Sequence, residues 1–170
     1  VNTGRIVHAR LFAGPDGTGK RTAALLAARA MNCEGEGEKP CNRCPSCLQF
    51  LSGNSPRLLL IQPEDGSIKV DVIRRMIERV SLRPDAGHLC VIIDQADRMN
   101  ESAQNALLKT LEEAPDYAVF YLLTAKPSSL LTTIRSRCAM FRFAPLDDET
   151  VVDALVQRGV PQTQAKETAR

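Results

Sequence analysis

ARLFAGPDGTGKRTAALLAARAM, residues 9–31, places an apolar run, a glycine-rich turn and a run of strong helix formers in that order. The first part predicts a short buried strand over residues 9–14, and the alanine- and leucine-rich part predicts a helix starting at Lys20. Between them Gly14, Gly17, Gly19 and Lys20 satisfy the spacing G-x-x-x-x-G-K, with Thr18 inside the loop. Glycines let backbone N–H groups curl around phosphate oxygens, the lysine adds a charge, and the helix N-terminus adds its dipole. A plain turn joining strand to helix is the alternative; the strand before and the helix after favour the phosphate loop. The residue after Lys20 breaks the pattern. A Ser or Thr hydroxyl there would ligate Mg²⁺, and Arg21 has no oxygen to offer. Thr22 comes next, about 100° further around the helix, and is expected to point away from such a metal.

The same α/β rhythm continues along the chain. Apolar runs at residues 57–63, 88–94, 117–125 and 139–144 predict four more strands. VDVIRRMIERV predicts a helix with Val72, Ile73, Met76, Ile77 and Val80 on one face. NESAQNALLKTLEEAP offers Asn100 as N-cap, Glu101 in the first turn and a stripe at Ala103, Leu107 and Leu111, with Pro115 as the stop. SSLLTTIRS, residues 128–136, reads as a further helix. Strands alternating with helices imply an α/β fold with a five-stranded, mainly parallel sheet covered on both faces. Pro145 marks a boundary, DDETVVDALVQRG begins a new helix, and TQAKETAR reads as another one cut short. The expected division is a core over residues 1–144 and the start of a helical second domain over residues 145–170.

VIIDQAD, residues 91–97, has the strand-then-aspartate form of a Walker B element. Asp94 at the strand end would hold a metal through water, unless it only caps the following turn. In hydrolysing enzymes of this type an acid follows it to polarise the attacking water; here a neutral amide, Gln95, stands in its place.

Four of the six cysteines cluster, as Cys33-x7-Cys41-x2-Cys44-x2-Cys47, within an insertion at residues 33–47. Overlapping C-x-x-C turns aim several thiolates at one point, and Cys33 can return from the end of the first helix to close a tetrahedron. That arrangement points to structural Zn²⁺. The C-x2-C-x2-C run also occurs in iron–sulfur proteins, so a cluster is the competing reading. TIRSRC, residues 133–138, sets Arg137 near a helix end, where solvation is the ordinary fate of an arginine.

Composition narrows the classes further. The 170 residues are 44% hydrophobic and 25% charged, with a net charge of +2 that gives no long-range attraction to nucleic acid. No apolar run approaches the ~18 residues needed to span a bilayer, so no membrane partner is expected and the expected location is the cytoplasm.

The phosphate loop, the cysteine insertion, SIKVDVIRRM, IIDQADRMNESAQNALLKTLEEAP and TTIRSRC, in this order, resemble the bacterial clamp-loader AAA+ subunits of DNA polymerase III. The resemblance runs from Arg10 to about Asp147. It implies a P-loop AAA+ three-layer fold with a zinc module, and a helical lid that begins where this chain ends. Because Arg21 and Gln95 replace the Thr and Glu of the gamma/tau motors, it implies a non-catalytic stator with a degraded nucleotide site at Gly14, Gly17, Thr18, Gly19, Lys20, Arg21, Thr22, Asp94 and Thr124. In such a stator Arg137 would be an arginine finger serving ATP bound by a neighbouring subunit. The implied partners are the gamma/tau and delta subunits and, through the complex, the sliding clamp and primer-template DNA. The resemblance also implies that the chain is a fragment lacking the collar and much of the adenine pocket, with ATP or ADP binding weak or absent. A gamma/tau-type motor is the competing enzyme reading. A small P-loop kinase or a zinc-bound DNA-binding module would each need features that these residues do not supply.

Overall fold

The computed structural model describes residues 8–145, 147–157 and 159–164. Its strands are β1 (Ala9–Ala13), β2 (Leu58–Ile61), β3 (Leu89–Ile93), β4 (Ala118–Thr124) and β5 (Ala139–Arg142), in spatial order β2-β3-β4-β1-β5. Every strand pair is parallel rather than mainly so. Parallel neighbours need crossovers, and the helices α1 (Lys20–Met31), α3 (Val70–Val80), α4 (Glu101–Glu112) and α5 (Thr132–Arg137) lie in them. Each strand is one to three residues shorter than its apolar run, because a ladder ends where its neighbour stops offering partners.

Period-two alternation splits the strands between two cores. Leu11, Val91, Ile93, Phe120 and Leu122 face one way and pack with Ile73, Met76 and Val80 of α3 and Ala103, Leu107 and Leu111 of α4. Phe12, Cys90, Ile92, Tyr121 and Leu123 face the other way and meet Ala24 and Ala28 of α1. All seven residues of β4 are buried, which its place in the middle of the sheet requires. Each fully buried large apolar side chain contributes about 1.5–3 kcal/mol, so these two layers dominate the stability.

The helix boundaries follow their local signals. Asn100 caps α4, its side chain accepting from Ala103 N–H at 2.8 Å, a bond whose loss costs about 1 kcal/mol. Residues 128–136 do not form one helix. A 3-10 turn at Pro127–Ser129 precedes extended Leu130, whose buried side chain anchors the chain before α5 begins. A helix that composition did not announce, α2 (Pro45–Leu51), begins within the cysteine insertion and runs past its end, with Phe50 packed into the α1 side of the core. Beyond Pro145, α6 (Asp148–Gln157) is the expected new helix and residues 162–164 are helical; of the segment TQAKETAR, residues 165–170 lie outside the described residues.

Candidate functional site

β1 delivers the glycine loop to the carboxyl end of the sheet, beside the ends of β4 and β5. Gly17 and Gly19 have φ of 79° and 82°, and Gly19 is the N-cap of α1; a Cβ at either position would be strained. Lys20 is 8% exposed and curls back, donating through Nζ to Gly14 O at 2.7 Å and Pro15 O at 2.6 Å. Thr18 Oγ1 donates to Pro15 O at 2.9 Å, which tightens the same turn.

Asp94 follows β3 directly, and one of its oxygens accepts from Gln95 N–H at 3.0 Å. The other, Oδ2, lies 3.5 Å from Nη1 of Arg21. A cleft of about 390 Å³ opens here, lined by Asp16, Gly17, Gly19, Lys20, Arg21, Thr22, Asp94 and Gln95. The structure thus brings most of the expected nucleotide residues together. Thr22 is among the residues that line the cleft, beside Arg21. Thr124 does sit at the end of β4, but its hydroxyl is committed to Asp97, donating to Oδ1 at 2.6 Å and accepting from Lys126 N–H at 2.9 Å. Gly14 lies on a different cavity, with Pro15, Arg142 and Phe143.

A Mg²⁺ ion of the kind that P-loop enzymes place here does not fit this donor set. The residue after Lys20 is Arg21, which offers no hydroxyl, and the Asp94 carboxylate is paired with its guanidinium. A cation placed near Arg21 would meet a repulsion of about 4 kcal/mol per unit charge at 4 Å near a protein surface, less where solvent reaches the guanidinium.

The cysteine site does fit a metal. The four sulfurs of Cys33, Cys41, Cys44 and Cys47 lie within 4.8 Å of one another, against about 3.8 Å for the edge of a tetrahedron with 2.3 Å metal–sulfur bonds. All six cysteines of the chain are free thiols. Backbone N–H groups already point at the sulfurs: Cys41 N–H to Cys33 Sγ at 3.3 Å, Cys44 N–H to Cys41 Sγ at 3.4 Å and Cys47 N–H to Cys44 Sγ at 3.4 Å. Such donors favour the thiolate. The N–H groups of Arg43 and Cys44 hold the Cys41 thiol down at about 6, whereas burial pushes Cys47 up to about 12. A side chain at Gly35 would put its Cβ 2.6 Å from Cys41 Sγ, so only glycine lets the loop fold over the sulfurs.

Asn32, assigned no role from the sequence, ties this module to the core. Its amide donates to Ala28 O and His88 O at 3.1 Å, its Oδ1 accepts from His88 N–H at 2.9 Å, and its carbonyl accepts from Ser46 Oγ at 2.7 Å. The Asn32 side chain therefore joins the end of α1 to the start of β3, and its main-chain carbonyl holds the start of α2 next to Cys33.

Arg137 ends α5. Its guanidinium donates to Thr133 O at 2.8 Å and pairs with Glu112, the last residue of α4, while its side chain stays 34% exposed. Gln104, buried in α4, links the two helices: it donates to Met99 O and Ser129 O and accepts from Leu131 N–H at 2.8 Å. Burial raises the Cys138 thiol to about 11. Sequence reading gave no role to Gln104 or Glu112. The one available signal was spacing, since Gln104 lies three and seven residues before the apolar stripe positions Leu107 and Leu111.

A parallel sheet with a glycine loop after β1 and an aspartate after β3 defines a P-loop α/β protein of the AAA+ class. Residues 1–147 match the family described as DNA polymerase III, delta subunit, and the chain belongs to that family. It is 40% identical over 167 residues to DNA polymerase III subunit delta' of Bacillus subtilis (strain 168), covering 98% of this chain and 51% of that protein. It is also 39% identical over 147 residues to the tau subunit of DNA polymerase III from the same organism, covering 85% of this chain and 26% of tau. Among solved structures, a gamma subunit-related protein from Thermotoga maritima superposes with a TM-score of 0.61 at 26% identity, covering 95% of this chain and 51% of that one. The chain thus spans about half the length of the delta' relative. Among the described residues no helix is long and apolar enough to cross a membrane.

Proposed function

We propose that this chain is the AAA+ portion of a delta'-type clamp-loader subunit, a stator that does not hydrolyse ATP and works in the cytoplasmic replisome. In this reading residues 1–144 are the core with its metal module at residues 33–47, and residues 145–170 begin the lid. The observation that carries it is the Arg21–Asp94 ion pair, which places a guanidinium where a motor keeps its metal ion. Gln95 supports it independently: its amide cannot take a proton from water. Likeness to the delta' relative along almost the whole chain supports the same assignment over a gamma/tau motor.

Structural Zn²⁺ on Cys33, Cys41, Cys44 and Cys47 would lock α2 against α1. A closed four-thiolate site has no open position, so it supplies rigidity and no chemistry. Arg137 would be offered across a subunit boundary to the ATP of a gamma/tau neighbour. Its planar fork matches phosphoryl oxygens, and supplying it in trans makes hydrolysis depend on assembly. Delta completes the proposed ring, and the sliding clamp and primer-template DNA are reached through the assembly.

The full-length subunit alone, with ATP and Mg²⁺, is expected to release phosphate at the background rate. Turnover typical of a motor subunit would contradict the stator reading.

A further inference from the structure

The Arg21–Asp94 pair has a consequence for ligand choice at the same cleft, and it rests on the non-hydrolysing reading above. We propose that Arg21 takes the place of the divalent cation, so that the cleft accepts the polyphosphate of a nucleotide without a metal. Three observations carry this. The loop keeps its receiving shape, with Gly17 and Gly19 left-handed and the α1 N-terminus open to the cleft. Asp94, 18% exposed, would repel phosphate if bare, and Arg21 Nη1 at 3.5 Å neutralises it as a metal would. Arg21 is itself 46% exposed on the cleft wall, and a guanidinium has five N–H donors of which one faces Asp94. The remaining donors have the fork geometry that binds phosphate oxygens in pairs.

Mg²⁺ is therefore dispensable here. To reach Asp94 it must displace the guanidinium, and by sequestering the nucleotide's phosphates it removes the charge that Arg21 would bind. Lys20 would leave the carbonyls of Gly14 and Pro15 for the incoming phosphate, a local change within one turn.

The test is a titration of the full-length subunit with a fluorescent N-methylanthraniloyl ATP, in EDTA and in excess Mg²⁺. Wild type is expected to bind saturably in EDTA, with an affinity that Mg²⁺ does not improve by more than about twofold. Arg21→Thr, which restores a hydroxyl beside Asp94, is expected to bind at least about tenfold tighter with Mg²⁺ than in EDTA, and Arg21→Ala to lose affinity in EDTA by about tenfold. The proposal is overturned if wild type shows no saturable binding in EDTA, if its binding requires Mg²⁺, if Arg21→Thr stays indifferent to the metal, or if Arg21→Ala binds like wild type. Metal-dependent binding without turnover would remove this inference and leave the stator intact; turnover by wild type would remove the stator.

Discussion

Arg137→Ala in the full-length subunit is expected to slow ATP hydrolysis at the neighbouring motor site by about 10³-fold or more, the usual worth of an arginine finger. In a loader with several ATP sites the total rate then falls by the share of that one site. The measurement is single-turnover hydrolysis by the reconstituted loader on primed DNA. Folding should be almost untouched, because the Arg137–Glu112 pair is half exposed and such pairs contribute about 0–1 kcal/mol. An unchanged melting temperature with lost turnover separates a role across the boundary from a structural one. Gln104 fastens α5 to α4, and Glu112 holds the Arg137 guanidinium at the helix end.

Removing the metal is expected to have the second large effect, confined to one part of the molecule. Elemental analysis should find about one zinc per chain; iron with visible absorption would replace the zinc reading by a cluster. Structural zinc binding is worth about 10–16 kcal/mol in small peptides that fold only with it. Here the sheet has its own core, so stripping the metal should unfold the module and leave β3 and β4 intact. Hydrogen exchange checks this directly: amides of α2 lose protection on chelation while those of β3 and β4 keep theirs. Cys47→Ser should behave like the stripped protein, because Cys47 is fully buried and its sulfur cannot be replaced by a solvated hydroxyl.

Much of this molecule can be read before any coordinates are seen, for reasons that particular residues make plain. The run from β1 into α1 is legible because a phosphate loop needs glycine where φ is positive, and Gly17 and Gly19 are both there. The cysteine cluster is legible because overlapping C-x-x-C turns bring sulfurs together by local spacing alone. The helix stripe of α4 is legible because Asn100, Ala103, Leu107 and Leu111 obey a local period. What escapes is set by contacts distant in sequence. The 3-10 turn before α5 depends on Gln104 capturing Ser129 O and Leu131 N–H from 25 and 27 residues away. The hydrogen bond from the Thr124 hydroxyl to Asp97 also escapes, because only the adjacency of β3 and β4 brings the two residues together. Asn32 had no sequence signal at all: one buried residue that bridges elements through its side chain and its carbonyl leaves no periodic trace.

The central claim is that this subunit serves another subunit's ATP and does not use its own site for hydrolysis. The most direct test compares two substitutions in one reconstituted loader, Asp94→Asn and Arg137→Ala, by DNA-stimulated phosphate release. The account predicts that Asp94→Asn leaves the rate unchanged while Arg137→Ala lowers it. A rate that falls with Asp94→Asn and survives Arg137→Ala would contradict it.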